Sequence, residues 1–304
     1  MTIPPDSTGA ALEAAAGKCG GHLERAGGAR WRLALANGRP FEVSAGVDAV
    51  GEWLHLDAPT GAGRDPRRLW AALVVNGRLG GAAKIALTAD GLRLRAEMPL
   101  DRRDVLAARV ASTCCGFKDA LSALDDGPDV AARAGLGGAP GLPAASDLAA
   151  ACREAGWSVS ERANGRVAVN LECARRFHLA LVGPQASGGV LVAAELVRAA
   201  TLSAAARAAL ATLLLATTAR VRLVRAAADE EGGHVWARLE VAFDTKPEAG
   251  DLDHALSALA AGCSLAGDEA RVLENDAVAA RYLALRNPSG ESRQSVAAFT
   301  KEQP

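Results

Sequence analysis

Apolar and polar residues follow one another in an order that occurs twice along the chain. The stretch AALEAAAGKCGGHLERAGGARWRLAL is apolar at helical spacing up to a glycine pair and then alternates with a period of two. The stretch SDLAAACREAGWSVSERANGRVAVNL shows the same succession. Placing Leu12 on Leu148 aligns the two stretches without a gap as far as Leu35 on Leu171. This self-similarity indicates a tandem repeat, on which the fold prediction rests.

Both copies predict the same order of elements: a helix, four strands, a helix, two strands and a closing helix. Asn164-Gly165 is a strong hairpin signal between two alternating runs. Asp65, which precedes a proline, and Ser203 are N-cap signals for the two middle helices. We therefore predict an α+β fold in which each copy forms an antiparallel sheet with helices on one face. The two tandem domains are expected to pack on each other as a pseudo-dimer.

The predicted domain boundaries follow the repeat. Residues 8–125 form the first domain, and residues 146–286 form the second, which carries an extra C-terminal helix that starts at Gly267. Residues 126–145 are rich in Gly, Ala and Pro, a composition typical of a linker. Residues 287–304 are predicted to be a flexible tail. Cleavage within the linker is expected to leave two stable fragments.

Charge and composition limit the classes of function. The chain has 304 residues, which suits two domains, and a net charge of −1 from 34 basic and 35 acidic residues. A nucleic-acid binder needs a basic excess to neutralise phosphates, so this class is not expected. The most apolar run, AALATLLLATTA, is shorter than the about 20 residues of a membrane span, and no signal peptide is predicted. We expect a cytoplasmic protein with reduced cysteines.

The order of elements resembles the type III secretion chaperone-like fold, a group that includes small secretion chaperones and YbjN-like proteins. The resemblance covers both copies and depends on the step from LWAALVVNGRL through AAKIALTADG to GLRLRAEMPLDRRDV. Members of this group commonly place a short apolar-proline step before the closing helix, as Met98-Pro99-Leu100 does here. The second copy departs from this pattern, because Phe243-Asp244 leads to ThrLysPro.

The resemblance implies a binding function and not an enzymatic one. Such chaperones usually pair as homodimers and hold an extended segment of a client protein, and the family motif contains no catalytic residue. Two copies in one chain resemble a dimer made covalent. Because this chain lacks the acidic charge of secretion chaperones, a non-catalytic protein-binding adaptor is favoured. The alternative is an accessory or structural subunit of a bacterial enzyme or secretion assembly, with no catalytic residues of its own.

Residues that could carry chemistry are scattered along the sequence. Cys114 and Cys115 are neighbours on a predicted helix, where side chains diverge by about 100°, so they do not form one edge of a metal site. No phosphate-binding or nucleophile motif is present, and we predict neither a cofactor nor a catalytic residue. The five histidines show no close ligand spacing. Four lie on predicted strands, namely His22, His55, His178 and His234, and the fifth is His254.

Large aromatic residues are scarce, which makes their positions informative for partner binding. Trp157 aligns with Gly21, and a core position usually keeps its size between copies, so Trp157 is the first candidate for a partner contact. Trp53 is the second. Phe299 is the third, because it lies in a short apolar island of the tail that can dock by adding a strand to an open sheet edge.

Overall fold

The fold consists of two antiparallel sheets and the helices that accompany them. A computed structural model describes residues 5–35, 41–49, 52–101, 103–126, 144–161, 165–173, 176–184, 189–231 and 234–286. Within these ranges the chain forms seven helices and two six-stranded sheets, which confirms the predicted α+β class. None of these helices has both the length and the apolar character that crossing a membrane requires.

The first half of the protein, residues 5–126, contains three helices and six strands. Asp65 caps the second helix, because its side-chain oxygen accepts a hydrogen bond from Arg67 N at 3.0 Å, and a proline follows it at the first helical position. The elements are α1 (Pro5–Lys18), β1 (His22–Gly27), β2 (Arg30–Leu35), β3 (Phe41–Val47), β4 (Trp53–Pro59), α2 (Pro66–Asn76), β5 (Lys84–Thr88), β6 (Gly91–Pro99) and α3 (Arg103–Asp126).

The second half, residues 144–286, repeats this order and adds one helix. Ser203 caps the middle helix by accepting a hydrogen bond from Ala206 N at 3.1 Å. The elements are α4 (Ala145–Glu154), β7 (Val159–Glu161), β8 (Val167–Glu172), β9 (Phe177–Pro184), β10 (Val190–Arg198), α5 (Ala204–Arg220), β11 (Arg225–Glu231), β12 (His234–Phe243), α6 (Ala249–Val272) and α7 (Asp276–Arg286).

The two sheets have the same topology. The first has the order β1-β2-β3-β4-β6-β5, and the second, written in the same direction, has the order β7-β8-β9-β10-β12-β11. All neighbouring strands are antiparallel, and the last hairpin of each half joins the sheet beside its fourth strand. The order of elements predicted from the repeat is therefore confirmed in both halves.

One face of each sheet is buried beneath helices of its own half. Helices α1 and α3 contact the first sheet, and α4 and α6 contact the second. The buried apolar residues include Phe117 of α3 and Leu256 of α6, and those of both halves belong to a single continuous cluster. The halves therefore share a core, and each contributes buried surface that the other covers.

The C-terminal helices differ from the prediction in one respect. Helix α6 continues through Gly267 to Val272, and the extra helix α7 begins at Asp276, so the start predicted at Gly267 is wrong. Asn275 separates the two helices, because its side-chain oxygen accepts a hydrogen bond from Ala277 N at 3.0 Å. A glycine within a helix is tolerated at a modest cost in stability and need not end it.

Candidate functional site

The two halves meet through their middle helices and fifth strands. Helix α2 of the first half packs against β11 of the second, and α5 of the second half packs against β5 of the first. The two middle helices also contact each other. Each half thus uses its middle helix and its fifth strand in the contact with the other half.

Lys84 carries the polar part of this contact from the first half. The residue begins β5, and its Nζ atom lies 2.6 Å from Glu97 Oε2, with both side chains almost fully buried. Nζ also donates to the main-chain oxygens of Val221 at 3.0 Å and Val224 at 3.3 Å, in the second half. Burial lowers the pKa of Lys84, and the carboxylate of Glu97 opposes this shift.

Arg225 plays the corresponding part in the second half. It begins β11, and its Nε atom donates to Glu240 Oε1 at 2.7 Å, while Arg238 donates to the other carboxylate oxygen at 2.6 Å. Nη1 of Arg225 donates to the main-chain oxygens of Gly81 at 3.4 Å and Ala83 at 3.3 Å, in the first half. Burial raises the pKa of Glu240, but the two arginines outweigh it and hold that pKa below its ordinary value.

A polar side chain at the end of each middle helix completes the contact. Asn76 accepts a hydrogen bond from Ile85 N at 2.7 Å and donates to Ala226 O in the other half at 2.8 Å. Thr218, at the end of α5, accepts from Ala226 N at 2.9 Å. Both side chains are buried and satisfied; Asn76 joins the two halves, and Thr218 holds the main chain of Ala226 within the second half.

The sequence prediction did not identify these residues. Lys84, Glu97, Arg225 and Glu240 alternate with apolar neighbours on amphipathic strands, a pattern that normally indicates a solvent-exposed position. The available signal was the presence of an equivalent cation at the start of the fifth strand in both copies.

We call the face of each sheet that lies opposite its covering helices the outer face. The outer faces differ between the halves because the register between the second and third strands differs. Leu33 of β2 pairs with Val43 of β3, whereas its repeat mate, Val169 of β8, pairs with Ala180 of β9. The connection in the second half is therefore one residue longer. A displacement of one residue moves each side chain of a strand to the opposite face, so the gap-free repeat ends before this strand.

The displacement puts different chemistry on the two outer faces. In the first half, Arg32 of β2 lies beside Glu42 of β3, with 3.4 Å between Nε and Oε2. In the second half, the position that corresponds to Glu42 holds Leu179, which is 42 % exposed, and Phe177 beside it is 71 % exposed. Leu181 continues the row along β9 and is half-buried. We call Phe177, Leu179 and Leu181 the β9 patch.

The structure describes two of the three sequence-predicted partner residues, and they lie in different surroundings. Trp157 is half-buried, and its Nε1 atom donates to Asp253 of α6 at 3.0 Å. Trp53 faces the second half, where Arg222 lies 5.3 Å from its ring centroid and the ring of His254 lies 6.1 Å away. Phe299 lies outside the described residues. Their roles in partner binding stay predictions.

The cysteines have contrasting surroundings. Cys114 is buried and Cys115 is exposed, as their divergent directions on a helix require. Burial raises the pKa of the Cys114 and Cys263 thiols to about 12, and that of Cys152 to about 11. Within the described ranges, no group of three or more His, Cys, Asp or Glu side chains is placed to hold a metal ion.

Known proteins give no guide to this arrangement. Comparison of the chain with protein-family models, with curated proteins and with solved structures finds no match. The function is therefore argued from the geometry of the two halves, above all from the β9 patch and from the contacts that hold the halves together.

Proposed function

We propose that the protein is a non-catalytic protein-binding adaptor of type III secretion chaperone-like fold, whose β9 patch holds a partner protein. The observation that carries this proposal is the exposure of Phe177 and Leu179 beside each other on β9. Apolar surface contributes about 25 cal/mol per Å² when it leaves water, so a partner that covers these side chains gains free energy. Neighbouring exposed apolar side chains commonly mark an interaction site.

The contacts between the halves support the view that the chain is a pseudo-dimer. Lys84 and Arg225 begin equivalent strands and reach the main chain of opposite halves. An isologous homodimer presents each surface twice. Two halves in one chain can instead present different surfaces, and here Glu42 and Leu179 differ at corresponding positions. A partner that fits the β9 patch therefore has one such binding site per molecule.

The shared order of helix, four strands, helix, two strands and helix in both halves supports the resemblance to the chaperone-like fold. In that fold the client is a protein segment held against a sheet. The partner proposed here would bind on the face of the sheet and not at its edge, because β9 lies inside the second sheet with β8 and β10 on either side. Side-chain packing on the face of the sheet, and not strand addition, would hold it.

Affinity capture from the native host tests the proposal with three baits. The wild-type chain is compared with the double variant Phe177→Glu/Leu179→Glu and with the control Leu285→Glu, which alters a side chain that is 73 % exposed on α7. We expect one protein to be recovered in near-equal amount with wild type and control, and to be lost with the double variant. Equal recovery with all three baits would refute the β9 patch as the binding surface.

The alternative, a permanent structural subunit of a larger assembly, makes a different prediction for the isolated chain. An obligate subunit without its partner exposes a large apolar interface and aggregates. An adaptor with a transient partner stays monomeric. Sedimentation of the purified chain over a range of concentrations distinguishes the two, and a concentration-dependent dimer that the Phe177→Glu/Leu179→Glu variant abolishes would assign the patch to self-association instead.

A further inference from the structure

A second surface that the proposed function does not use lies where the two halves meet α7. It is a cleft of about 600 Å³, lined mainly by residues of β5, β6, α2, α5, α6 and α7. Helix α7 has no counterpart among the described residues of the first half. The cleft is large enough for an organic ligand of ordinary size.

The charges of the cleft lining are unbalanced. Four arginines and one acidic side chain, Glu269, line it. Two of the arginines are held by main-chain oxygens: Arg64 donates to Thr88 O at 2.9 Å, and Arg95 donates to Ala219 O at 2.9 Å. Arg95 thereby offsets the negative C-terminal end of α5. Arg95 is also paired with Asp57, with 3.7 Å between Nε and Oδ1, so of these two arginines Arg64 alone has no ion pair among the described residues.

The other two arginines are available to a ligand. Arg220 ends α5, Arg286 ends α7, and both are exposed. In the described part of the chain neither forms an ion pair. Arg286 lies 5.3 Å from the ring centroid of Tyr282. Burial raises the pKa of Tyr282, and Arg286, which can donate to the hydroxyl oxygen, opposes this shift. The proton of this buried hydroxyl has no acceptor among the described residues, and a ligand oxygen would accept it.

Part of the cleft lining is apolar, and we call this part the floor. Leu213 and Ala216 of α5 belong to it, as does Leu265 of α6, which is 47 % exposed. Three hydroxyl groups add to the polar part of the lining: those of Thr88, Thr212 and Thr217. A fully solvated anion such as inorganic phosphate would gain little from this floor. A ligand that carries both an anionic head and an apolar chain would use the cations and the floor together.

We propose that this cleft binds a small organic anion with an apolar chain. Arg220 and Arg286 hold its carboxylate or phosphate head, the hydroxyl of Tyr282 donates to a head oxygen, and the chain lies on Leu213 and Leu265. The complementarity of an anionic head to Arg64, Arg220 and Arg286, together with the apolar floor, is what selects this class of ligand. The site is separate from the β9 patch and does not depend on it.

Titration calorimetry on the full chain tests the proposal with four probes. Octyl phosphate and octanoate carry the two candidate heads, inorganic phosphate lacks the chain, and octyltrimethylammonium carries the opposite charge. We expect at least one of the two anionic amphiphiles to bind in the micromolar range, at least about tenfold more tightly than inorganic phosphate or the cation. The tighter of the two heads identifies the head group. Equal binding of the cation would overturn the proposal.

Variants show whether binding occurs in this cleft. Arg220→Gln and Arg286→Gln are each expected to weaken binding of the better amphiphile by about tenfold, because each removes a charge-assisted hydrogen bond. The matched control is Arg281→Gln, which alters an exposed arginine of α7 that does not line the cleft. An equal loss of affinity in the control, or no loss in the first two variants, would overturn the site.

Two further results would give the cleft to another occupant and so overturn the proposal. The first is tighter binding of octyl phosphate to the full-length Phe299→Ala variant, which would mean that the tail of the chain competes for the cleft. The second is failure of both amphiphiles together with binding of an acidic apolar peptide that requires Arg220 and Arg286. That outcome would assign the cleft to a protein segment.

Discussion

Lys84 and Arg225 begin the fifth strands of different halves, and each donates hydrogen bonds to main-chain oxygens of the half to which it does not belong. Each also pairs with a buried glutamate of its own half, Glu97 or Glu240. Four of the hydrogen bonds that join the halves therefore depend on two buried charges. Removal of one member of such a pair leaves an uncompensated charge in the interior.

The first prediction follows for Lys84→Met. We expect the free energy of unfolding to fall by about 3–5 kcal/mol, because Glu97 and the carbonyl of Val221 lose their partner. The control, Lys246→Met, removes an exposed pair with Asp147 and is expected to change stability by less than about 0.5 kcal/mol. Urea unfolding measures both. Equal effects in the two variants would contradict the role of Lys84 at the interface.

The second prediction concerns the halves as separate chains. Residues 1–126 and residues 144–304 are expected to co-purify as a one-to-one complex when they are produced together, because their buried apolar residues form one cluster. Each piece alone exposes the surface that the other covers and is expected to aggregate. Size-exclusion chromatography with light scattering measures the masses. Two well-folded monomers that do not bind each other would instead support the independent fragments expected from the sequence.

The third prediction compares two glycines of α6. A Cβ atom on Gly267 would lie 2.7 Å from the ring of His178, whereas one on Gly250 would meet nothing within 4 Å. Gly267→Ala is therefore expected to lower the free energy of unfolding by about 1–3 kcal/mol through overpacking. Gly250→Ala is expected to leave it unchanged or raise it by up to about 1 kcal/mol. Thermal unfolding measures both variants. A neutral effect of Gly267→Ala would contradict the close contact between α6 and His178.

The fourth prediction is a pH dependence that comes from His178. Burial lowers the pKa of this residue, and Arg271 and Arg176 lower it further. Between the lowered pKa and about 6.5 the unfolded chain binds a proton that the folded chain does not, so the free energy of unfolding falls as the pH drops through this window. We expect His178→Gln to flatten that slope between pH 6.5 and pH 5, as followed by urea unfolding at each pH.

The control for this measurement is His22→Gln, on the exposed strand β1, which is expected to keep the wild-type slope. A slope that is unchanged in the His178 variant would mean that other groups titrate in the window.

The fifth prediction concerns thiol reactivity. Cys115 is exposed, whereas burial raises the pKa of Cys114 and Cys263 to about 12 and removes the reactive thiolate at neutral pH. Iodoacetamide is expected to label Cys115 in the folded protein before either of the other two, and to label all three once the protein is unfolded. Peptide mass spectrometry at timed intervals gives the order of labelling, and early labelling of Cys114 would contradict its burial.

Local signals made most of the fold predictable. The hairpin at Asp90-Gly91 requires a glycine with positive φ, and Gly91 has φ of +112°. Ser203 and Asp65 cap the helices that their positions in the sequence suggested. These features depend on neighbours in the chain, which is why the order of elements in both halves could be deduced without the structure.

The interface could not be predicted because its determinants lie far apart in the chain. The oxygen that binds Lys84 belongs to a residue 137 positions away. The pattern of its own strand predicts that Lys84 faces solvent, and contact with the second half makes that position an interior one. The register of β9 was missed for a similar reason, since one added residue before this strand leaves its composition unchanged while exchanging its two faces.

That added residue accounts for two features at once. It turns Phe177 and Leu179 outward, and it turns His178 inward, against Gly267, where a polar ring occupies a position that an apolar side chain would normally fill. After a gene duplication, a one-residue change in the register of one strand can thus give the two copies different roles in a single step. Point substitutions would have to build the same difference one side chain at a time, whereas a difference of one residue in a connection gives the two copies different surfaces at once.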